Sequence, residues 1–297
     1  MQWVYDADIF LVRNWSMPDL RIMAVLVVYE RALQEVQAWS FLSGHLAAPE
    51  HHGLRLQQLV VYDNSAHPKA AFAKEIAGCT YVHNASNGGT AAAYSYAIRI
   101  AAAAGIEWLI LLDHDTLLPP RYLEGVAAAL RVSDAATAAA FVPWVYHRER
   151  VISPSVVTKV GTISPLQRGR SLTRVDSITA IASGSVLNVR MLETLLPLPH
   201  GLWLDYVDHW IFRQLHLRHQ LVVILEQVLR HALSVEDPTQ LSKRRLFSIL
   251  DGEALFQKSL GSAARIVYPF RVVARAIRYL CIRPRLALYT FSWASRQ

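Results

Sequence analysis

Cysteine is scarce: Cys79 and Cys281 are the only two in 297 residues. That is too few for a disulfide framework and fits a reducing compartment. Long apolar runs are missing as well. The greasiest stretches, around 106–112 and 221–229, fall far short of the roughly 20 residues a helix needs to cross a bilayer, and read as strands. The first twenty residues carry Asp6, Asp8 and Asp19 and no apolar core, so no secretory leader is expected. No Gly-x-Gly-x-x-Gly or P-loop pattern follows the first apolar run, which excludes both of those phosphate cradles. Internal repeats and low-complexity linkers are absent. So is any acid after Glu253.

That last absence locates the charge. The formal net charge is +7, yet Lys258, Arg265, Arg271, Arg275, Arg278, Arg283, Arg285 and Arg296 all follow Glu253. The other 22 basic residues face 23 acidic ones, so the body of the chain is nearly neutral and nucleic acid is not expected as a partner. In the tail, Ile266, Val267, Phe270, Val273, Ala274, Ile277, Leu280 and Cys281 recur at helical spacing with arginines between them. A basic amphipathic helix of this kind reads as a membrane-surface element. The alternative is a C-terminal helix packed on the core with a solvated basic face. The expected division is a domain over 1–260 and a basic amphipathic helical segment over 261–297.

What the chain does have is a short greasy run ending in charge, Trp108-Leu109-Ile110-Leu111-Leu112-Asp113-His114-Asp115-Thr116. Its length and composition suit a strand buried on both faces. Strand side chains alternate, so Asp113 and Asp115 share one face at the tip. Two hard oxygen donors side by side suit Mg²⁺ or Mn²⁺, ions that keep positions open for substrate phosphates. The same residues would also serve as a plain polar turn.

Strands and helices alternate around this run. Residues 21–29 read as a first strand, 31–43 as a helix, and 56–62 as a second strand ending at Asp63-Asn64-Ser65. A short helix near 68–77, a strand at 80–82 and an alanine-rich helix over 90–104 lead to the Asp-bearing strand. Pro119-Pro120 then opens another helix. This order implies an α/β fold with a mostly parallel central sheet flanked by helices. Ligands bind such sheets at the carboxyl ends of the strands, which places Tyr29-Glu30, Asp63-Asn64 and Asp113-His114-Asp115 on one rim. Asn84, Asn87 and Gly88-Gly89 precede the alanine-rich helix on that rim, as polar contacts for a ligand or as a turn and cap. The second half is less regular. A strand over 138–145 and a loop or hairpin excursion over 146–176 come first. A strand over 177–189 follows, crossing Ser183-Gly184-Ser185, where the glycine would let a ligand approach closely. Leu204-Asp205-Tyr206-Val207-Asp208 opens an amphipathic helix, and a last strand over 221–225 precedes Arg230-His231.

Five segments in order carry a family resemblance. They are Val27-Val28-Tyr29-Glu30, Tyr62-Asp63-Asn64-Ser65, Asn84-x-x-Asn87-x-Gly89-x-Ala91-x-Ala93, Leu112-Asp113-His114-Asp115 and Leu204-Asp205-Tyr206-Val207-Asp208. Arg230-His231-Ala232-Leu233 is a sixth. Over roughly residues 21–260 the chain resembles the nucleotide-sugar glycosyltransferases of family 2, with their GT-A fold. Within them it is most similar to bacterial rhamnosyltransferase-like enzymes of surface polysaccharide assembly. The resemblance implies that Asp115 ligates a divalent cation, Mg²⁺ or Mn²⁺, and that Asp113 faces the ribose or supports the cation. His231 would join as a metal or diphosphate contact, the alternative being a surface histidine after a strand. Asp63 would meet the pyrimidine edge and Glu30 the base or ribose, with Asn84, Asn87 and Gly88 also on the donor side. Asp208 would be the catalytic base and Asp205 a helper. Here the chain departs from the family's spacing. An acid is expected two positions after the base and an arginine four beyond that, whereas Trp210 and Arg213 follow Asp208. Asp205 therefore stays a rival base, and either aspartate would also serve as a helix cap.

The function expected from these residues is metal-dependent, inverting transfer of a sugar, with rhamnose foremost, from a nucleoside-diphosphate donor. The acceptor would be lipid-linked or a polysaccharide, and the protein cytoplasmic and peripheral on the inner face of the plasma membrane. A nucleotidyltransferase is one alternative, although it would show a glycine-rich basic loop where Tyr29-Glu30-Arg31-Ala32 stands. A membrane-bound scaffold with a weakened transferase domain is another.

Overall fold

The computed structural model describes residues 20–47, 54–131, 138–168, 178–231 and 241–296. Its strands are β1 (Leu20–Val28), β2 (Leu54–Asp63), β3 (Cys79–His83), β4 (Trp108–Asp113), β5 (Thr116–Leu117), β6 (Ala138–His147), β7 (Arg150–Ser153), β8 (Ser155–Val157), β9 (Ile163–Pro165), β10 (Ile178–Thr179), β11 (Ser185–Asn188) and β12 (Leu221–His231). The helices are α1 (Gln37–Ala47), α2 (Gly89–Ala103), α3 (Tyr122–Leu130), α4 (Val189–Glu193), α5 (Val207–Leu217), α6 (Lys243–Ser259), α7 (Ser262–Ile282) and α8 (Pro284–Ala294). The central sheet has nine strands in the order β3-β2-β1-β4-β11-β6-β12-β5, with β7 paired to β6. Strands β3, β2, β1 and β4 are parallel, as are β6 and β12. Strand β11 runs antiparallel to both β4 and β6, and β5 antiparallel to β12. Strands β10, β8 and β9 form a small antiparallel sheet of their own.

Alternation along β1 explains the layers. Ile22, Ala24, Leu26 and Val28 face one core with Trp39 and Leu42 of α1 and Tyr122, Leu123 and Val126 of α3. Met23, Val25 and Val27 face the other, with Tyr94, Ala97 and Ile98 of α2 and Val207, Ile211 and Phe212 of α5. Both faces are covered, so Ile22–Val28 of β1 and Trp108–Leu112 of β4 are apolar without interruption. Each fully buried Val, Leu or Ile there contributes about 1.5–3 kcal/mol, which makes the rim of this sheet a rigid mount.

The structure revises several expected elements. The expected strand over 177–189 is broken, because Gly184 takes φ +74° and Ser185 N donates to Ala182 O in a turn. Only β11 joins the main sheet, while Ile178–Thr179 belongs to the small one. The close approach at Gly184 is to protein and not to a ligand: an added Cβ would overlap the Leu229 side chain and press on Pro143. The last strand continues six residues past 225, since a register shift between Ile224 and Val228 absorbs the polar Glu226-Gln227 pair. The excursion after 146 contains the hairpin strands β7, β8 and β9. Residues 1–19, Ser177 and Ala232-Leu233, on which some expectations rested, lie outside the described residues.

A third apolar cluster joins α6 to the two C-terminal helices through Leu246, Leu250, Tyr268, Val272, Tyr279, Leu286 and Trp293. Arg275 of α7 turns inward, with Nη2 donating to Glu253 Oε1 at 3.1 Å and Nη1 standing 2.8 Å from Oε2. The nearly buried Glu253 is thus neutralised by the tail. Among the described residues no helix is long and apolar enough to cross a membrane.

Candidate active site

The strand register brings the carboxylates together. Val28 of β1 pairs with Asp63 and Val27 with Asp113, so the two acids reach one rim a residue apart and on opposite faces of the sheet, and only Asp113 turns to the cavity. The two-residue strand β5 pairs Thr116 with His231, which seats the histidine beside Asp115. The Gly184 turn presents Ser183. Tyr206 stands in the left-handed region at φ 65° as the N-cap of α5, without a side-chain cap bond. That turn aims Asp205 and Asp208 inward, and neither carboxylate is the helix's N-cap. From the first turn of α6 comes Arg245. Asp113, Asp115, Asp205, Asp208, His231, Ser183, Tyr29, Asn64, Asn87, Trp203, His209 and Arg245 all line one cavity of about 540 Å³. A second cleft, of about 390 Å³, lies across Asp115 and His231 and is lined by Arg31, Arg148 and Arg230.

The cavity holds strongly coupled charge. Burial, then the neighbouring Asp115 and Asp208 carboxylates, push the Asp113 carboxyl up to about 7. Tyr94 OH donates to Asp113 Oδ1 across a long 3.5 Å contact. Burial lowers His231 from its ordinary value despite the nearby acids, which keeps the imidazole neutral at neutral pH. Its Nδ1 lies 3.0 Å from Ser183 Oγ and 3.3 Å from Asp115 Oδ1. Asp208 accepts Ala182 N at 3.1 Å on Oδ2 and His209 N at 2.7 Å on Oδ1. Asp205 is different: Arg245 Nη2 donates to its Oδ1 at 3.0 Å. Burial nonetheless raises the Asp205 carboxyl above its ordinary range, against the pull of that guanidinium.

Four expected donor contacts stand outside the cavity wall: Glu30, Asp63, Asn84 and Gly88. Asp63 is fully buried and accepts Ser65 N, Lys69 N and Tyr81 OH. Burial would raise its carboxyl, but these hydrogen bonds outweigh that and hold it below the ordinary range. Glu30 Oε1 accepts Ala66 N, which clamps the β1 end to the β2 loop. Asn84 bonds Tyr62 OH and Ser86, and Asn87 Oδ1 accepts Gly89 N. The start of α2 is tied to the loop before α5, since Ala91 N donates to Trp203 O and Thr90 Oγ1 to Leu204 O. Gly89, at φ +71°, lets the Trp203 carbonyl lie directly on the helix start, where an added Cβ would overlap it. Gly89→Ala is therefore expected to cost about 2 kcal/mol or more, read as a lower urea midpoint. An unchanged midpoint would mean that the Trp203 loop is free to move aside.

The sequence matches the family model described as "Glycosyl transferase family 2" over residues 46–195, half of the chain. The chain belongs to that family.

This glycosyltransferase has the GT-A fold, as its likeness to solved structures shows. S. aureus TarS superposes with a TM-score of 0.51 at 14% identity, covering 83% of this chain and 43% of TarS. TarS 1-349 in complex with UDP-GlcNAc gives 0.51 at 12% identity, over 84% and 73% of the two chains. GalNAc-T7 with UDP, GalNAc and Mn²⁺ gives 0.54 at 13%, over 83% and 53%. The chain thus spans about half the length of TarS and of GalNAc-T7. A search of curated proteins gives no match.

Two features of the glycosyltransferase explain its departure in spacing. Trp210, which stands where the family's acid is expected, packs against the core beneath α5. Arg213 donates through Nε and Nη2 to the carbonyl of Ser259, the last residue of α6. Trp210 thus serves the core and Arg213 the α5–α6 contact, and neither lines the cavity. Arg245 and Tyr94 went unread in the sequence. A serine N-cap at Ser242 before a basic turn, and the tyrosines Tyr94 and Tyr96 among the alanines of α2, were the available signals.

The donor set also fits a divalent cation. Asp115 Oδ1 is buried without a hydrogen-bond partner, and burial together with the Asp115 and Asp208 carboxylates raises the Asp113 carboxyl further than the Arg245 guanidinium can offset. No three His, Cys, Asp or Glu side chains among the described residues enclose an ion by themselves. A site with one or two protein ligands, open to phosphate oxygens, is how Mg²⁺-like ions bind in phosphate chemistry.

Proposed function

We propose that this glycosyltransferase moves a sugar from a nucleoside-diphosphate sugar to a lipid-linked or polysaccharide hydroxyl, with a divalent cation and inversion at the anomeric carbon. The observation that carries it is the convergence of Asp113, Asp115, Asp208 and neutral His231, from three separate parts of the chain, on one cavity. The UDP-GlcNAc bound to TarS and the UDP and Mn²⁺ bound to GalNAc-T7 support the donor class and the cation. Rhamnose is the sugar we assign on the sequence resemblance.

Asp115 and His231 would hold Mg²⁺ or Mn²⁺, which when bound neutralises charge on the departing diphosphate. Asp113, one strand tip away, would meet the ribose, and Asp63 and Glu30 would hold the β1–β2 end in shape for the base. Asp208 is the base: it takes the proton of the acceptor hydroxyl as that oxygen attacks the anomeric carbon. The carbon–phosphate-oxygen bond breaks and the electron pair leaves with the nucleoside diphosphate. Two backbone amides fix the Asp208 carboxylate against the helix start, within electrostatic reach of Asp113 and His231. Asp205 is already engaged, its Oδ1 accepting Arg245 Nη2 from the first turn of α6, whereas the Asp208 side chain is bonded only to backbone amides. We assign the Asp205–Arg245 pair to substrate positioning.

This division of roles is open to measurement. Asp205→Asn should retain at least about tenfold more transfer activity than Asp208→Asn, because only the latter loses the base. Equal losses, or the reverse order, would return Asp205 to the role of base. The wider reading is tested by a panel of nucleotide sugars, dTDP-rhamnose and UDP-GlcNAc among them, with Mg²⁺ or Mn²⁺. Transfer or slow hydrolysis of at least one donor is expected. Neither, with any donor, would count against it. The family match favours sugar transfer over nucleotidyl transfer, and the intact carboxylate cluster favours an enzyme over a scaffold.

A further inference from the structure

Helix α7 is apolar on two opposite sides. Tyr268, Val272, Ala276 and Tyr279 are buried against its neighbouring helices. Successive residues turn about 100° around a helix, so Ile266, Phe270, Val273, Ile277 and Leu280 fall in a stripe on the far side. These five are 46–70% exposed, with Phe270 the most open. Leu288 and Phe291 of α8 add two further exposed apolar side chains. A tail that only packed on the core with a solvated basic face would show arginine where this stripe shows isoleucine and phenylalanine. The exposed Arg265 and Arg278 instead flank the stripe on its two sides, and exposed Arg285 opens α8.

We propose that the α7 stripe lies in the interface of an anionic membrane, its apolar side chains among the acyl chains and its flanking arginines on acidic headgroups. Charge decides between this occupant and a second copy of the chain. The stripe spacing of four, three, four and three residues would also suit a helix pair. A pair formed by two copies would set arginine against arginine, with no acid after Glu253 to answer them. An anionic bilayer supplies those counter-charges and the apolar volume together. Anchoring along α7 would confine the enzyme to the plane that holds a lipid-linked acceptor, raising their effective concentration.

The test uses the full chain and two vesicle types, phosphatidylcholine alone and phosphatidylcholine with about one-third phosphatidylglycerol. At low salt the protein should sediment with the anionic vesicles about tenfold more than with the neutral ones, and high salt should release most of it. Phe270→Glu combined with Ile277→Glu should cut anionic binding by about tenfold or more, with the melting temperature and nucleotide binding unchanged. If that pair fails to fold, Arg278→Gln with Arg285→Gln reads the same face through its charge and should weaken binding severalfold. Wild-type protein that stays in the supernatant with both vesicle types would overturn the proposal. So would a wild-type dimer in solution that Phe270→Glu with Ile277→Glu splits. Nucleotide binding is measured separately, so failure here and failure of the transferase reading are distinguishable.

Discussion

Asp208→Asn should lower transfer by about 10²- to 10⁴-fold, the range lost with a general base, while nucleotide affinity stays close to that of the wild type. The amide keeps the shape of the carboxylate but cannot take a proton from the acceptor. One cost is structural. Asp208 accepts backbone amides on both oxygens, from Ala182 and His209, and an amide group offers only one acceptor. The variant should therefore lose about 1–2 kcal/mol of stability, which a melting curve separates from the kinetic loss. Weakened nucleotide binding alongside lost turnover would place Asp208 on the donor side.

Asp115→Asn should be nearly as damaging, at about 10³-fold in turnover. Charge neutralisation by a cation is worth several kcal/mol at the transition state, and about 1.4 kcal/mol corresponds to a factor of ten. The effect should differ in kind from that of Asp208→Asn, because the nucleotide should bind weakly and Mn²⁺ should no longer improve it. Asp115 Oδ1 has no protein hydrogen-bond partner to lose, so the fold should be unaffected by the change. An Asp115→Asn protein with normal, Mn²⁺-responsive nucleotide binding would remove this residue from the metal site.

Much of this site was legible in the sequence because it depends on short-range rules. A buried strand that ends in charge reports its own tip, so β4 and the place of Asp113 at its end were readable, whereas Asp115 lies beyond the strand in the turn to β5 and alternation does not place it. The strand–helix order of the first half implied parallel pairing, and β1, β2, β3 and β4 pair in that way. What escaped depends on contacts distant in sequence. Strand β5 is two residues long and exists through its pairing with β12, yet it is what seats His231 beside Asp115. The strand expected over 177–189 broke at Gly184 to make room for Leu229, a neighbour that no local pattern announces. Arg245 sits 40 residues from Asp205, so only the packing of α6 on α5 could reveal that the rival base is already paired. At the start of α2 the Trp203–Leu204 backbone accepts Ala91 N and Thr90 Oγ1, a contact across more than 100 residues that the local sequence does not signal, while Asn87 and Thr90 still line the cavity. The periodic residues read in the tail all fall on the open side of α7, and it is the packed side, Tyr268, Val272, Ala276 and Tyr279, that the sequence pattern missed.

The central claim is that Asp113, Asp115, Asp208 and His231 form a cation-dependent site for a nucleoside-diphosphate sugar. Calorimetric titration of the wild-type protein with UDP, dTDP and GDP, each with Mn²⁺ and with chelator, tests it most directly. At least one nucleotide should bind in Mn²⁺ and lose about tenfold or more of its affinity in chelator. No binding of any nucleotide, or binding indifferent to both the cation and the Asp115→Asn change, would contradict it.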